Sequence, residues 1–289
     1  MAWNNAQGMG SYALEDLYNL PEYNRKAILR QLLVQADPVI IHPLFEPDDF
    51  NPDVSSGLLL LQELTRRTDK LGTILGVEAK EIYYGENEFL VWWDGLHAFM
   101  HPPGSGVNNS SEIGRMVRKI VVRYDMRDMD DKGSHLATEL KRMFELTRAE
   151  HVAIELLGSG TVEGSDFATQ AVIQGIAAIV GALIRYFGDA FTIRKALGGW
   201  VLLGTESFSC FRSYWDSPSE SARERASRSE ASFEELMQIQ VNRWIGEHSM
   251  TEPRSQFLDH GRGQTFLTAD LGRWPAWSQN ISPVLPFKQ

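Results

Sequence analysis

Apolar residues recur at helical spacing in the first third of the chain and predict two helical regions. The first covers residues 20–36, and the second covers residues 58–83, which two internal glycines could divide into shorter helices. Residues 1–19 are rich in glycine and asparagine, whereas residues 42–56 are rich in proline and acidic side chains. Both of these segments are therefore expected to be irregular.

From residue 89 onward, predicted strands alternate with predicted helices. Runs of bulky β-formers predict strands, with one further candidate at residues 200–203. The predicted strands are residues 89–93, 117–124, 151–157 and 190–195. Strands separated by helices favour parallel pairing through crossovers, so we predict an α/β or α+β fold with a mainly parallel sheet. The alternation is compatible with a leucine-rich-repeat-like stack, although the signature L-x-x-L-x-L-x-x-N is absent.

Composition and charge exclude several classes of protein. The chain has 289 residues, of which 43% are hydrophobic and 23% charged, as in an ordinary globular protein. The net charge of −10 excludes a global basic field, so no nucleic-acid partner is expected. The single cysteine, Cys210, excludes a disulfide scaffold and favours a reducing intracellular compartment, cytoplasmic or nuclear.

A membrane partner is not expected either. The N-terminus lacks the basic and apolar regions of a signal peptide. The most apolar stretch, residues 172–184, is shorter than the roughly 20 residues that a bilayer needs. We therefore expect this stretch to be a buried core helix.

Three patterns resemble reactive sites, and each has a plainer interpretation. His97 and His101 lie at i and i+4, but Ala98 stands where a zinc-protease motif needs glutamate. The acids of residues 125–131 could bind Mg²⁺, but acids also favour the start of the following helix. The glycine-rich residues 158–164 resemble a dinucleotide loop with one residue too many. We therefore expect no catalytic residue, metal or cofactor, and keep these two strand-end loops as an alternative small-molecule or enzyme site.

A cluster of basic residues surrounds the strand at 117–124. Basic residues alternate there with apolar ones; they are Arg115, Arg118, Lys119 and Arg123. This spacing favours a solvated sheet or helix face, with a patch for an anion or an acidic partner as the alternative.

Two segments of the chain carry a family resemblance. The first element comprises Leu20, Pro21, Arg25, Ile28, Leu29 and Leu32, at the start and along one face of the first predicted helix. The second element, residues 78–89, comprises Glu78, Ala79, Ile82, Tyr84, Gly85, Asn87 and Phe89. These elements resemble the L-P-x-E-x-R-x-x-I helix and the E-A-x-x-I-x-Y-G-x-N-x-F segment of fungal F-box-like, or two-ExR-type, domain proteins. The resemblance covers residues 17–125.

The resemblance implies that the first element docks a protein partner, because F-box proteins bind a ubiquitin-ligase adaptor through this helix region. The second element is expected to be structural. Its aromatic residues supply buried area, Gly85 permits a chain reversal, and Asn87 bonds to its own turn. The chain departs from the family at Tyr23, where a glutamate is usual, and at residues 72–73, where Cys-Arg is usual. An ion pair between these positions is therefore not expected.

Together these observations predict an N-terminal helical F-box-like segment packed on a βα array. We predict a loose lead at residues 1–16, the F-box-like region at 17–125, a continuous βα region at 126–248 and an irregular tail at 249–289. The predicted function is a non-enzymatic protein-interaction module, in its specific form a substrate adaptor of a ubiquitin ligase. A small-molecule binder or enzyme, and a structural subunit of a complex, are the alternatives.

Overall fold

A computed structural model describes most of the chain. The described residues are 14–42, 52–102, 112–126, 133–197 and 208–251. Outside them lie most of the predicted lead and of the first irregular segment, the acids at 128–131, the candidate strand at 200–203 and nearly all of the predicted tail.

The helices and strands alternate along the described chain. The helices are α1 Leu14–Asn19, α2 Glu22–Leu33, α3 Pro52–Arg66, α4 Lys70–Glu86, α5 Leu96–Met100, α6 Gly133–Leu140, α7 Phe167–Phe187, α8 Glu220–Ser227 and α9 Phe233–Thr251. The strands are β1 Val39–Ile41, β2 Glu88–Trp92, β3 Lys119–Asp125, β4 His151–Gly158, β5 Phe191–Leu197 and β6 Phe208–Cys210.

The six strands form one sheet in the order in which they occur along the chain. Strands β1 to β5 pair in parallel, and β6 pairs antiparallel with β5. The register aligns Val39, Phe89, Ile120, Val152 and Phe191 in one row across five strands, and all are almost fully buried. The predicted α/β class with a mainly parallel sheet is therefore confirmed.

The helices of the core pack on one face of this sheet. The row from Val39 to Phe191 belongs to a single apolar cluster that also contains side chains from α1 to α7 and from α9. Within the described residues, the other face carries two small clusters built from strand side chains alone. These are Ile40, Leu90, Val121 and Ala153, and Trp92, Leu157 and Ala196.

A buried charge ladder crosses the second face of the sheet. Glu155 on β4 accepts from the Nε of Arg123 on β3 at 2.7 Å and from the Nε of Arg194 on β5 at 2.9 Å. Glu155 is fully buried and Arg123 is nearly so. A carboxylate held between two guanidinium groups satisfies its oxygens, so the ladder has a structural role on three adjacent strands.

Helix α7 is long and apolar enough to cross a membrane by length and composition, but half of its most apolar window is buried inside the protein. Nine of its residues are buried, among them Ile173, Ile176 and Val180 at the centre of the core. This packing agrees with the predicted core helix.

Three expectations for the N-terminal third were wrong. Residues 14–19 form α1, and α3 begins at Pro52, inside the segment expected to be irregular. The second helical region does divide into two helices, but the break lies before Lys70 and not at a glycine. Asp69 caps α4 there by accepting from the Gly72 backbone amide at 2.7 Å.

Gly76 has a packing role instead. A Cβ on Gly76 would lie 3.2 Å from the Leu64 carbonyl oxygen, so glycine there lets α3 approach α4 closely.

Candidate protein-docking groove

The first and second elements contact each other through a partly buried ion pair. Arg25 on α2 donates from Nε and Nη2 to the two carboxylate oxygens of Glu78 on α4, at 3.0 and 2.6 Å. Arg25 also donates to the Leu20 carbonyl oxygen at 2.7 Å. These hydrogen bonds to the Glu78 carboxylate raise the pKa of the Arg25 guanidinium. The ion pair that was not expected would have joined position 23 to residues 72–73. The observed pair is a different one, because the partner of Arg25 is Glu78 in the second element.

Asn87 makes a second link between the two elements. Its side chain is almost fully buried and donates to the carbonyl oxygens of Leu33 at 2.8 Å and Tyr83 at 2.9 Å. Its Oδ1 accepts from the Gln35 amide at 2.7 Å. The predicted bond to its own turn is thus one of three, and the other two fix the end of α2 to the end of α4.

The apolar residues of the second element are core residues. Ala79, Ile82 and Phe89 are buried, and the ring of Tyr84 stacks on Phe89 with centroids 5.8 Å apart. Burial raises the pKa of the Tyr84 phenol to about 12, so this side chain is neutral at physiological pH. These four side chains therefore pack in the core of the protein.

The apolar stripe of the first element faces the protein interior. Leu29 is fully buried, and Leu20, Ile28 and Leu32 pack against the main core. Pro21 is exposed at the start of α2. The stripe therefore offers little free apolar area in the folded chain, which argues against its use for docking.

Gly85 is the member of the second element whose predicted role is wrong. Helix α4 continues to Glu86, and the glycines with positive φ in the described chain are Gly160, Gly164 and Gly188. A Cβ on Gly85 would meet the Met116 carbonyl oxygen at 3.6 Å, an ordinary contact. Neither the backbone nor a neighbouring atom requires glycine at this helical position.

Gly85 lies in a groove of about 540 Å³ at the end of the sheet where the strands begin. Helices α2 and α4 form one wall, and the turns that precede β3 and β4 form the other. The lining residues are Lys26, Arg30, Val77, Lys80, Glu81, Ile82, Gly85, Glu86, Glu112, Met116, Arg118 and Arg148. Val77 is an apolar residue that is 53% exposed here.

The groove is more positive than the protein as a whole. Its lining contains five basic and three acidic side chains, in a chain of net charge −10. Arg30 pairs with Glu86 at 2.8 Å, and Lys80 with Glu112 at 3.5 Å. In the described part of the chain, exposed Arg148 has no ion pair or side-chain hydrogen bond.

The alternative strand-end site is filled by the protein's own carboxylate. In the turn after β4, Asp166 accepts from the backbone amides of Thr169 at 2.9 Å and Thr161 at 3.2 Å. These are the donors that a phosphate would need at the start of α7. A Cβ on Gly160 would lie 2.5 Å from the Asp166 carboxyl carbon, which shows how tightly the loop encloses it.

A buried lysine holds the Asp166 carboxylate in this position. The Nζ of Lys195 donates to Asp166 Oδ2 at 2.6 Å, and the Lys195 side chain is completely buried. Burial opposes the charge on Asp166, but the hydrogen bonds from Lys195 and Thr169 outweigh it and lower its pKa to about 2. Of the other candidate strand-end loop, residues 125–131, only residues 125–126 are described.

The paired histidines do not form a metal site in the described structure. The rings of His97 and His101 lie 5.2 Å apart, and His101 Nε2 lies 3.1 Å from the Glu145 carboxylate. Among the described residues, no group of three or more His, Cys, Asp or Glu side chains is arranged so that it could hold a metal ion.

The sequence predicted one wall of the groove in part. Arg118 belongs to the basic cluster that was considered as a patch for an acidic partner, whereas Arg123 from the same cluster is buried in the charge ladder. Lys26, Val77 and Arg148 were missed because nothing in the sequence indicates that they lie together. Comparison of the chain with protein-family models, with curated proteins and with solved structures found no match.

Proposed function

We propose that this chain is a non-enzymatic intracellular protein-interaction module and that the groove at Gly85 is its docking site. The observation that carries the proposal is Gly85 itself. Glycine in a helix interior is less stable than alanine by roughly 0.5–1 kcal/mol, which is an upper bound for Gly85 in the last turn of α4. The fold does not require glycine here. A missing side chain at this position leaves the groove open, which is an advantage only if something binds there.

The wall formed by α2 and α4 supports the proposal because it is fixed in place. The Arg25–Glu78 pair and the Asn87 hydrogen bonds hold α2 against α4. A docking surface on rigid elements loses little conformational entropy when a partner binds. An adaptor role in a ubiquitin ligase, as the resemblance implies, would use the exposed side of α2, from which Lys26 and Arg30 reach the groove.

The proposal can be tested by co-purification from cells that naturally produce the chain. Gly85→Gln places a flexible side chain in the groove, and Gly246→Gln makes the same change on the exposed side of α9, where a Cβ meets no atom within 4 Å. We expect wild type and Gly246→Gln to retain the same stoichiometric partner and Gly85→Gln to lose it. Circular dichroism and thermal unfolding would show that both variants are folded.

Two results would contradict the proposal. If Gly85→Gln retains every partner at wild-type yield, the groove is not the docking site. If wild type retains no partner at all under mild extraction, the interaction function itself is wrong. A gain in thermal stability after addition of a nucleotide or a divalent cation would instead favour the small-molecule alternative.

A further inference from the structure

The charged residues of the groove indicate which kind of partner segment would bind there, provided that the groove is the docking site proposed above. The two walls present Lys26, Arg30, Lys80, Arg118 and Arg148. These five cations come from four separate segments of an acidic chain, and the fold brings them to one place. Their number exceeds that of the lining carboxylates by two.

The carboxylates that now pair with these cations are exposed and exchangeable. The partner of Lys80 is Glu112, which is 66% exposed, and the partner of Arg118 is Glu150, which is 61% exposed. Exposed pairs of this kind contribute little to stability. An incoming carboxylate can therefore replace them, and Arg148 is available without any replacement within the described structure.

The floor of the groove adds an apolar contact. Val77 is 53% exposed, Gly85 has no side chain, and Met116 is only partly buried by the core behind it. The volume of about 540 Å³ falls in the range of roughly 300–1,000 Å³ typical of ligand sites. This floor has room for an apolar side chain of a partner, or for its backbone to pass close to α4.

We infer that the occupant of the groove is an acidic peptide segment of a partner protein that carries an apolar residue between its carboxylates. Its carboxylates replace the exposed glutamates around Lys80 and Arg118 and pair with Arg148. Its apolar side chain covers Val77 and Met116.

Labelled peptide pools test this inference on the full chain. One pool of ten-residue peptides contains Glu, Asp, Leu and Phe; a second replaces the acids with Lys; a third replaces Leu and Phe with Gly. Fluorescence anisotropy at low salt should show binding of the first pool, at least tenfold weaker binding of the third and none of the second. Raising the salt from 50 to 200 mM should weaken binding, because the contacts are partly exposed charges.

Charge-reversed variants separate the groove from general attraction. Arg148→Glu should weaken binding of the acidic pool at least tenfold, and Gly85→Gln should abolish it. Arg223→Glu, on exposed α8, is the matched control and should leave binding unchanged. Equal loss in the Arg148 and Arg223 variants would show non-specific attraction and overturn the inference.

The remaining outcomes distinguish this inference from the proposed function. If Gly85→Gln loses a partner from the native extract but the acidic pool binds no better than the basic pool, docking stands and the acidic occupant is wrong. If self-association at high concentration is lost in Gly85→Gln, the occupant is a second copy of the chain, which also overturns the inference.

Discussion

Replacing Asp166 by asparagine tests whether the carboxylate in the turn after β4 stabilises the fold or whether the turn is an open ligand site. The variant keeps the shape of the side chain and removes its charge. Lys195 is completely buried, and its Nζ donates to Asp166 at 2.6 Å and to Thr169 Oγ1 at 2.7 Å. In Asp166→Asn, the lysine ammonium group would stay in the core without the carboxylate that now neutralises it.

The expected loss of stability can be bounded in two ways. Removing one partner of a buried ion pair costs about 3–5 kcal/mol. The pKa of Asp166 falls from 3.8 to about 2 in the fold, which corresponds to about 2 kcal/mol. The second figure is lower because Asp166 is 20% exposed and is partly hydrated. We therefore expect Asp166→Asn to lower the free energy of unfolding by about 2–5 kcal/mol at neutral pH.

The same pKa shift fixes the pH dependence. Because the folded-state pKa of Asp166 is depressed, its contribution is fully present above pH 4 and is lost as the pH falls toward 2. Wild type should therefore lose stability over this window, and Asp166→Asn should lose about 2 kcal/mol less over the same window.

Urea unfolding of a double-mutant cycle measures the interaction directly. Lys195→Met removes the buried charge and keeps an unbranched side chain of similar length. Because the double variant Asp166→Asn, Lys195→Met leaves no unpaired ammonium group, it should be more stable than Asp166→Asn alone. The reasoning is refuted if Asp166→Asn costs less than about 1 kcal/mol, or if the two changes are additive.

Four further changes can be measured by urea unfolding: two remove contacts between the first and second elements, and two replace glycines of α4. Glu78→Gln should cost about 2–3 kcal/mol, because Arg25 loses its charged partner in a mostly buried site; wild-type stability would contradict this. Asn87→Ala should cost about 2–3 kcal/mol through unpaired backbone groups, and a loss below half of that would count against the link. Gly85→Ala should add up to about 1 kcal/mol, because Gly85 lies in the last turn of α4, whereas Gly76→Ala should destabilise through its contact with α3; the opposite order would refute the account of Gly85.

The sequence predicted the sheet well because its strands are long and buried. Strands β2 to β5 are rich in valine, isoleucine, leucine and aromatic residues, as expected for buried parallel strands. Strands β1 and β6 were missed. Each has three residues and lies at an edge of the sheet, so neither is long enough to show a period of two.

The groove could be predicted only in part because its residues meet through topology. The lining residues come from α2, α4 and the turns before β3 and β4, as Lys26, Val77, Arg118 and Arg148 show. No hydrophobic pattern in these segments indicates that they would form one surface. The sequence placed the alternative site at the opposite end of the sheet. Parallel sheets usually bind ligands where the strands end, but in this chain Asp166 occupies the turn after β4.

The second element has a structural role and also lines the groove proposed as a docking site. Glu78 and Asn87 are structural because they fix α4 to α2, which holds that wall of the groove in place. Gly85 lies between them on the same helix and leaves the floor open. If the second element had only a structural role, alanine would be the more stabilising residue at position 85. A fixed wall beside an open floor in one short segment is what the proposed docking site needs, and docking would account for a glycine that the structure does not require.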